Sequence, residues 1–93
     1  MKEFLYTVTD PNGIHARPAG KLATFAKQFD SSVHVYYGEK EADAKRLLSI
    51  MSLGAVCGGS LRFVIAGKDE ESARESLLSF CNEALGEKGE RTE

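Results

Sequence analysis

The segment Asn12-Gly13-Ile14-His15-Ala16-Arg17-Pro18-Ala19 gathers residue types that could do chemistry. A histidine stands where a helix would begin, an arginine follows two residues later, and Pro18 suits a first helical turn, where its missing N–H costs nothing. The first N–H groups of a helix have no intrahelical partner, and with the positive end of the dipole they favour an anion held beside His15. Arg17 can add charge-assisted hydrogen bonds to the same anion. A histidine that accepts a phosphoryl group needs a lone pair, a home for the new charge and a position a donor can reach. From these residues alone the segment is an anion site, and a plain surface histidine near a helix cap fits them as well.

The elements that must position His15 follow from the patterning. Phe4, Tyr6 and Val8 alternate with Glu3, Leu5 and Thr7, which predicts a strand over 3–9. Asp10-Pro11-Asn12-Gly13 ends it as a turn. Leu22, Phe25, Ala26 and Phe29 recur at the spacing of one helical face, so a first helix is expected from Ala16 to Gln28. Val33, Val35 and Tyr37 alternate, Gly38-Glu39 turns, and Lys40 to Ala44 returns as the weaker arm of a hairpin. Arg46 to Leu53 is short, apolar and stopped by Gly54, the pattern of a two-turn helix. Leu61, Phe63 and Ile65 mark a further strand. Asp69, with Glu70 and Glu71 behind it, caps a last helix whose buried stripe is Ala73, Leu77, Phe80, Cys81 and Ala84. The order βαββαβα is that of an α+β domain, a four-stranded antiparallel sheet with three helices on one face and the other face wetter. Residues 1–85 are expected to form one domain, and the polar stretch 86–93 to fray.

Composition narrows the function. The chain has 93 residues, room for one small domain, and its 42% hydrophobic and 28% charged residues are those of a globular chain. A net charge of -2 argues against a nucleic-acid binder. With no signal-like or spanning apolar stretch, a cytoplasmic protein without membrane insertion is expected. Cys57 and Cys81 have no metal or redox spacing and are expected to be free and packed as small apolar side chains. No carboxylate pair, metal cluster or Ser/His/Asp set suggests independent catalysis, and neither a metal nor a cofactor is expected. His34 reads as a sheet-surface residue.

Gly13-Ile14-His15-Ala16-Arg17-Pro18-Ala19 resembles the active-site signature of HPr, the histidine-containing phosphocarrier family of the bacterial phosphoenolpyruvate–sugar phosphotransferase system. Ile50-Met51-Ser52-Leu53-Gly54 resembles that family's second motif, and the likeness covers about residues 3–85. The resemblance implies an open-faced β-sandwich. It implies that His15 is phosphorylated on Nδ1 by phosphorylated Enzyme I and passes the group to a histidine on an enzyme IIA domain. Arg17 and the backbone amide of Ala16 would stabilise the phosphoryl group. Such a carrier is a protein co-substrate more than an enzyme, and is expected to be a monomer. A regulatory HPr-like binding module using the same surface is the alternative.

The short helix is too apolar to be buried all round. Ile50 and Leu53 are expected in the core, leaving Leu47, Leu48 and Met51 outward as a docking surface. The resemblance implies that partners dock on the first helix and this short one together, and Gly20, Lys21, Thr24 and Lys27 are the residues expected to join. Arg17, Lys21, Lys27, Lys45 and Arg46 would form a basic patch that steers acidic partners. One departure stands out. Many Gram-positive members carry a regulatory serine, the target of HPr kinase, where this chain has Arg46, so no regulatory serine is assigned and Ser49 and Ser52 do not inherit the role. Arginine there also forgoes a helix cap worth about 1 kcal/mol, with Asp43 as a partial substitute.

Overall fold

Alternation in four short segments builds the sheet. The computed structural model describes residues 1–85, and the expected frayed tail lies outside the described residues. The strands are β1 (Lys2–Thr7), β2 (Ser32–Tyr37), β3 (Lys40–Asp43) and β4 (Ser60–Ala66), all antiparallel, in the spatial order β1-β4-β2-β3. Register puts Phe4 opposite Phe63 and Val35 opposite Phe63 on the other side, so one face is continuously apolar. Phe4 and Phe63 stack with ring centroids 4.6 Å apart. Burying a side chain of this size contributes about 2–3 kcal/mol. The opposite face carries polar pairs: Arg62 bonds Glu3 at 3.1 Å and lies over the Tyr36 ring, while His34 sits 3.9 Å from Glu41. Leu5, on that face, is exposed.

The helices α1 (Ala16–Ala26), α2 (Leu47–Met51) and α3 (Glu70–Phe80) cover the apolar face, and the order is the βαββαβα expected from the sequence. α3 packs on β1 and β4, and α1 packs on α2. Two details of the helical stripes differ from the sequence reading. In α1 the buried residues are Pro18, Ala19, Leu22, Ala23 and Ala26. Phe25 and Phe29 are only half-buried, because Phe25 stacks on Phe80 of α3, centroids 4.5 Å apart, at the rim of the core. In the last helix, Phe80 and Ala84 are half-buried and Leu85 is buried. Ala73, Leu77, Cys81 and Leu85 repeat every four residues, which in an α-helix drifts about 40° per step. The wider π-helical turn at Cys81–Leu85 reverses that drift and returns Leu85 to the core.

Asp69 also behaves otherwise than expected. It occupies the start of α3 but makes no cap bond to that helix. Its carboxylate instead accepts the N–H groups of Asp30 and Ser31 at 3.0 and 2.9 Å, and the Ser31 hydroxyl. This pins the α1–β2 connection to the start of α3. Both cysteines are free. Cys81 is buried, which pushes its thiol up to about 12, whereas Cys57 is exposed rather than packed, with its Sγ 3.7 Å from the Thr9 carbonyl. Among the described residues no helix is long and apolar enough to cross a membrane.

Candidate functional site

The loop before α1 is built on a chain of backbone constraints. The Asn12 N–H donates to Asp10 Oδ1 and the Gly13 N–H to the Asp10 carbonyl, both at 2.8 Å, closing an Asx turn inside a backbone turn. Gly13 has φ 72° and lies against the Ala55 carbonyl, where a Cβ would overlap it, so the position needs glycine on two counts. The next N–H, of Ile14, donates to that same Ala55 oxygen at 3.1 Å, and the Ile14 side chain is buried. His15 thus leaves a fixed platform.

His15 is the N-cap residue of α1, extended at φ −104° and ψ −168°, and its side chain makes no cap bond. The helical ladder begins with the Ala19 N–H on the His15 carbonyl at 3.0 Å. Pro18 has no N–H, so the amides of Ala16 and Arg17 are donors that the helix itself cannot occupy. α1 has no acid in its first turn. The imidazole is 42% exposed, and its Nε2 lies 3.4 Å from Asp10 Oδ2. Arg17 and Ala16 are exposed beside it. The arrangement offers a reachable ring nitrogen, two free amides, a dipole end and a guanidinium to one incoming anion.

Next to this end of the molecule, α2 divides as a short amphipathic helix must. Ile50 and Leu53 are buried, while Leu47 and Met51 are each 38% exposed and Leu48 is 78% exposed. Lys21, Thr24 and Lys27 are exposed on α1, and Gly20 is half-buried. A Cβ at Gly20 would meet nothing within 4 Å. The helix therefore gives up about 1 kcal/mol of propensity there for no internal packing reason. Lys27, Arg46, Leu47 and Leu48 line one groove of about 750 Å³ with Asp43, Lys45, Ser49 and Ser52.

Two expectations for this region need correction. Lys45 is half-buried, and its Nζ donates to the Phe29 carbonyl at 2.7 Å in the connection that follows α1, so its ammonium is tied into the fold rather than free on the surface. Asp43 does not cap α2: its Oδ1 accepts the Lys45 N–H at 2.9 Å in the preceding turn, while its own N–H donates to Ser49 Oγ at 2.8 Å. Arg46 is the uncapped N-cap residue of α2. Two residues escaped the sequence reading. Asp10 was visible only as part of a turn, although an acid five residues before a candidate nucleophile was the available signal. Val56, 58% exposed and packed at its backbone against Gly13, adds apolar surface near His15, and no periodicity marked it.

Comparison with known proteins agrees with this geometry. The family model described as "PTS HPr component phosphorylation site" matches residues 2–83. The phosphocarrier protein HPr of Lysinibacillus sphaericus is 40% identical over 83 residues, covering 89% of this chain and 94% of its own. Among solved structures, HPr-C-His from Thermoanaerobacter tengcongensis superposes with a TM-score of 0.86 at 33% identity, over 99% of this chain and 100% of its own. A histidine-containing phosphocarrier protein of Mycoplasma gives a TM-score of 0.88 at 26% identity, over 95% of this chain and 100% of its own.

Proposed function

This chain belongs to the HPr family of phosphotransferase-system phosphocarriers, and we propose that His15 is the residue that carries its phosphoryl group, taken from phosphorylated Enzyme I and given to enzyme IIA domains in bacterial sugar uptake. The observation that carries the reading is the open start of α1, where an exposed imidazole adjoins two amides with no helical acceptor and no acid in the first turn. In the transfer, the lone pair of Nδ1 forms a bond to phosphorus while the donor's bond to phosphorus breaks and takes its electron pair. Little covalent chemistry is asked of the protein, so positioning and charge stabilisation dominate. The Ala16 and Arg17 amides and the Arg17 guanidinium receive the phosphoryl oxygens.

Partners of the family are Enzyme I and the IIA components. For this chain the docking surface is assigned to Leu47, Leu48 and Met51 of α2 with Gly20, Lys21, Thr24 and Lys27 of α1 and Arg46 between them. An exposed apolar centre with a charged rim is what a transient interface requires. Arg46 cannot accept phosphate, so serine-dependent regulation is not part of the reading.

Intact mass after mixing with Enzyme I, magnesium and phosphoenolpyruvate tests it. The expected result is one acid-labile phosphoryl group on the wild type and none on His15→Ala. An unmodified wild type, with Enzyme I active on a control carrier, would overturn the assignment and leave a regulatory binding module, which the altered position 46 favours, as the reading.

A further inference from the structure

We infer that Asp10 is a positioning residue for His15: its carboxylate holds the ring with the proton on Nε2, so that the lone pair lies on Nδ1 and faces the open start of α1. The inference rests on the reading of His15 as the phosphoryl acceptor and explains which of its two nitrogens is free. Asp10 is fixed from both sides, since its carbonyl accepts the Gly13 N–H and its Oδ1 accepts the Asn12 N–H. With one carboxylate oxygen committed to the turn, the other, Oδ2, is directed at His15 Nε2 across 3.4 Å. The backbone that carries the ring is held in turn by the Ile14 N–H on the Ala55 carbonyl and by the close approach of Gly13 to that same oxygen. The two backbones that carry the contact are therefore held at a fixed spacing.

A carboxylate can only accept, so the nitrogen facing it must carry a hydrogen. In a neutral imidazole this assigns the hydrogen to Nε2 and the lone pair to Nδ1, because the bond made by one ring nitrogen sets the state of the other. The 3.4 Å separation is long for N–H···O and shortens as charge develops, as contacts in resting sites commonly do. During transfer the new bond joins Nδ1 to phosphorus, the donor's bond to phosphorus breaks with its electron pair, and the proton stays on Nε2. The acceptor ring thereby goes from neutral to cationic, and the carboxylate already faces the new positive charge. Onward transfer reverses each change. No proton has to enter or leave the site in either direction. Asp10 does not touch the phosphoryl group and acts only through the ring.

Asp10→Asn in the full chain separates this role from the structural one. The amide oxygen of asparagine keeps the Asx turn by accepting the Asn12 N–H. Its NH₂ then stands where Oδ2 stood and presents donors to Nε2, which favours the proton on Nδ1. Nitrogen NMR of 15N-histidine-labelled protein at alkaline pH reads the tautomer directly, and stopped-flow uptake from phosphorylated Enzyme I reads the rate. The wild type is expected to hold its proton on Nε2. The variant is expected to shift toward the Nδ1-protonated form, with uptake slowed at least about tenfold and an unchanged melting temperature. A wild-type ring protonated on Nδ1 would overturn the inference without need of the variant. Equal uptake and an unchanged tautomer in Asp10→Asn would overturn it while leaving His15 as the acceptor. No uptake by either protein would instead overturn the phosphocarrier reading, and Asp10's role with it.

Discussion

α1 and α3 are both 11-residue helices lying on the same sheet face, and their starts are treated in opposite ways. Neither N-cap side chain bonds its own helix. At α3, however, negative charge fills the positive end: Glu70 and Glu71 lie in the first turn, and Glu70 accepts the Gly67 N–H at 3.1 Å and the Met1 ammonium at 2.8 Å. At α1 there is no acid in the first turn, and the Ala16 and Arg17 amides have no helical acceptor. An acid at a helix start stabilises by about 0.3–1 kcal/mol. The chain takes that gain at α3 and forgoes it at α1, as the proposed arrival of an anion beside His15 would require.

Placing an acid where α1 lacks one should break the contrast most completely. Ala16→Glu puts a carboxylate in the first turn, at an exposed position that no packing contact protects. Urea unfolding should show a gain of up to about 1 kcal/mol from the dipole, while phosphoryl uptake falls by at least an order of magnitude because the site's donors and dipole are already occupied. A more stable protein that is phosphorylated at the wild-type rate would mean that the anion sits elsewhere. Making Lys68→Glu beside α3 is the matched control, and should leave uptake unchanged.

α1 also has a neighbour that α3 lacks, the exposed apolar face of α2. Leu48→Glu should raise the apparent KM for phosphorylated Enzyme I about tenfold, the loss of roughly 1.4 kcal/mol of docking energy. Stability should move by no more than about 0.5 kcal/mol, since the side chain is 78% exposed. A fall in the maximal rate with an unchanged KM would place Leu48 in the chemistry rather than in docking, and would dissolve the division between α1's chemical end and α2's surface.

Much of this was legible in the sequence because it is local. Two-residue alternation in 4–8, 33–37 and 61–65 is set by strand geometry, and the burial of Ile50 and Leu53 with Leu47, Leu48 and Met51 left out follows from a helix too short to have two buried sides. The place of His15 before Pro18 marked an anion site, and only the family resemblance singled it out as a phosphoryl acceptor. What stayed hidden depends on side chains reaching across the fold. Lys45 meets the Phe29 carbonyl 16 residues away, and Asp69 meets Ser31 38 residues away; both looked like local features, a patch and a cap. The half-burial of Phe25 follows from a stack with Phe80 that no period in either helix encodes. Asp10 was closest to being readable, yet its bearing on His15 needs the Asx turn that directs one oxygen inward and leaves the other for the ring.

The closed start of α3 makes a smaller prediction. The hydrogen bond from the Ser31 hydroxyl lowers the Asp69 carboxyl below its ordinary value, partly opposed by desolvation and helped by the Asp30 and Ser31 amides. The Met1 ammonium, then the Gly67 amide, lowers Glu70 in the same direction. A carboxylate whose folded value is depressed adds stability that is fully present above its unfolded value, near pH 4, and is lost as the pH falls through the folded value. Melting curves of the wild type and Asp69→Asn should therefore differ near neutrality and converge in acid, once the pH has fallen below the depressed folded value. A gap that persists into acid would mean that Asp69 holds the α1–β2 connection by shape and not by charge. The opposition between a charged, closed start and an open one would then rest on Glu70 and Glu71 alone, and Glu70→Gln would have to show the pH-dependent loss that Asp69 did not.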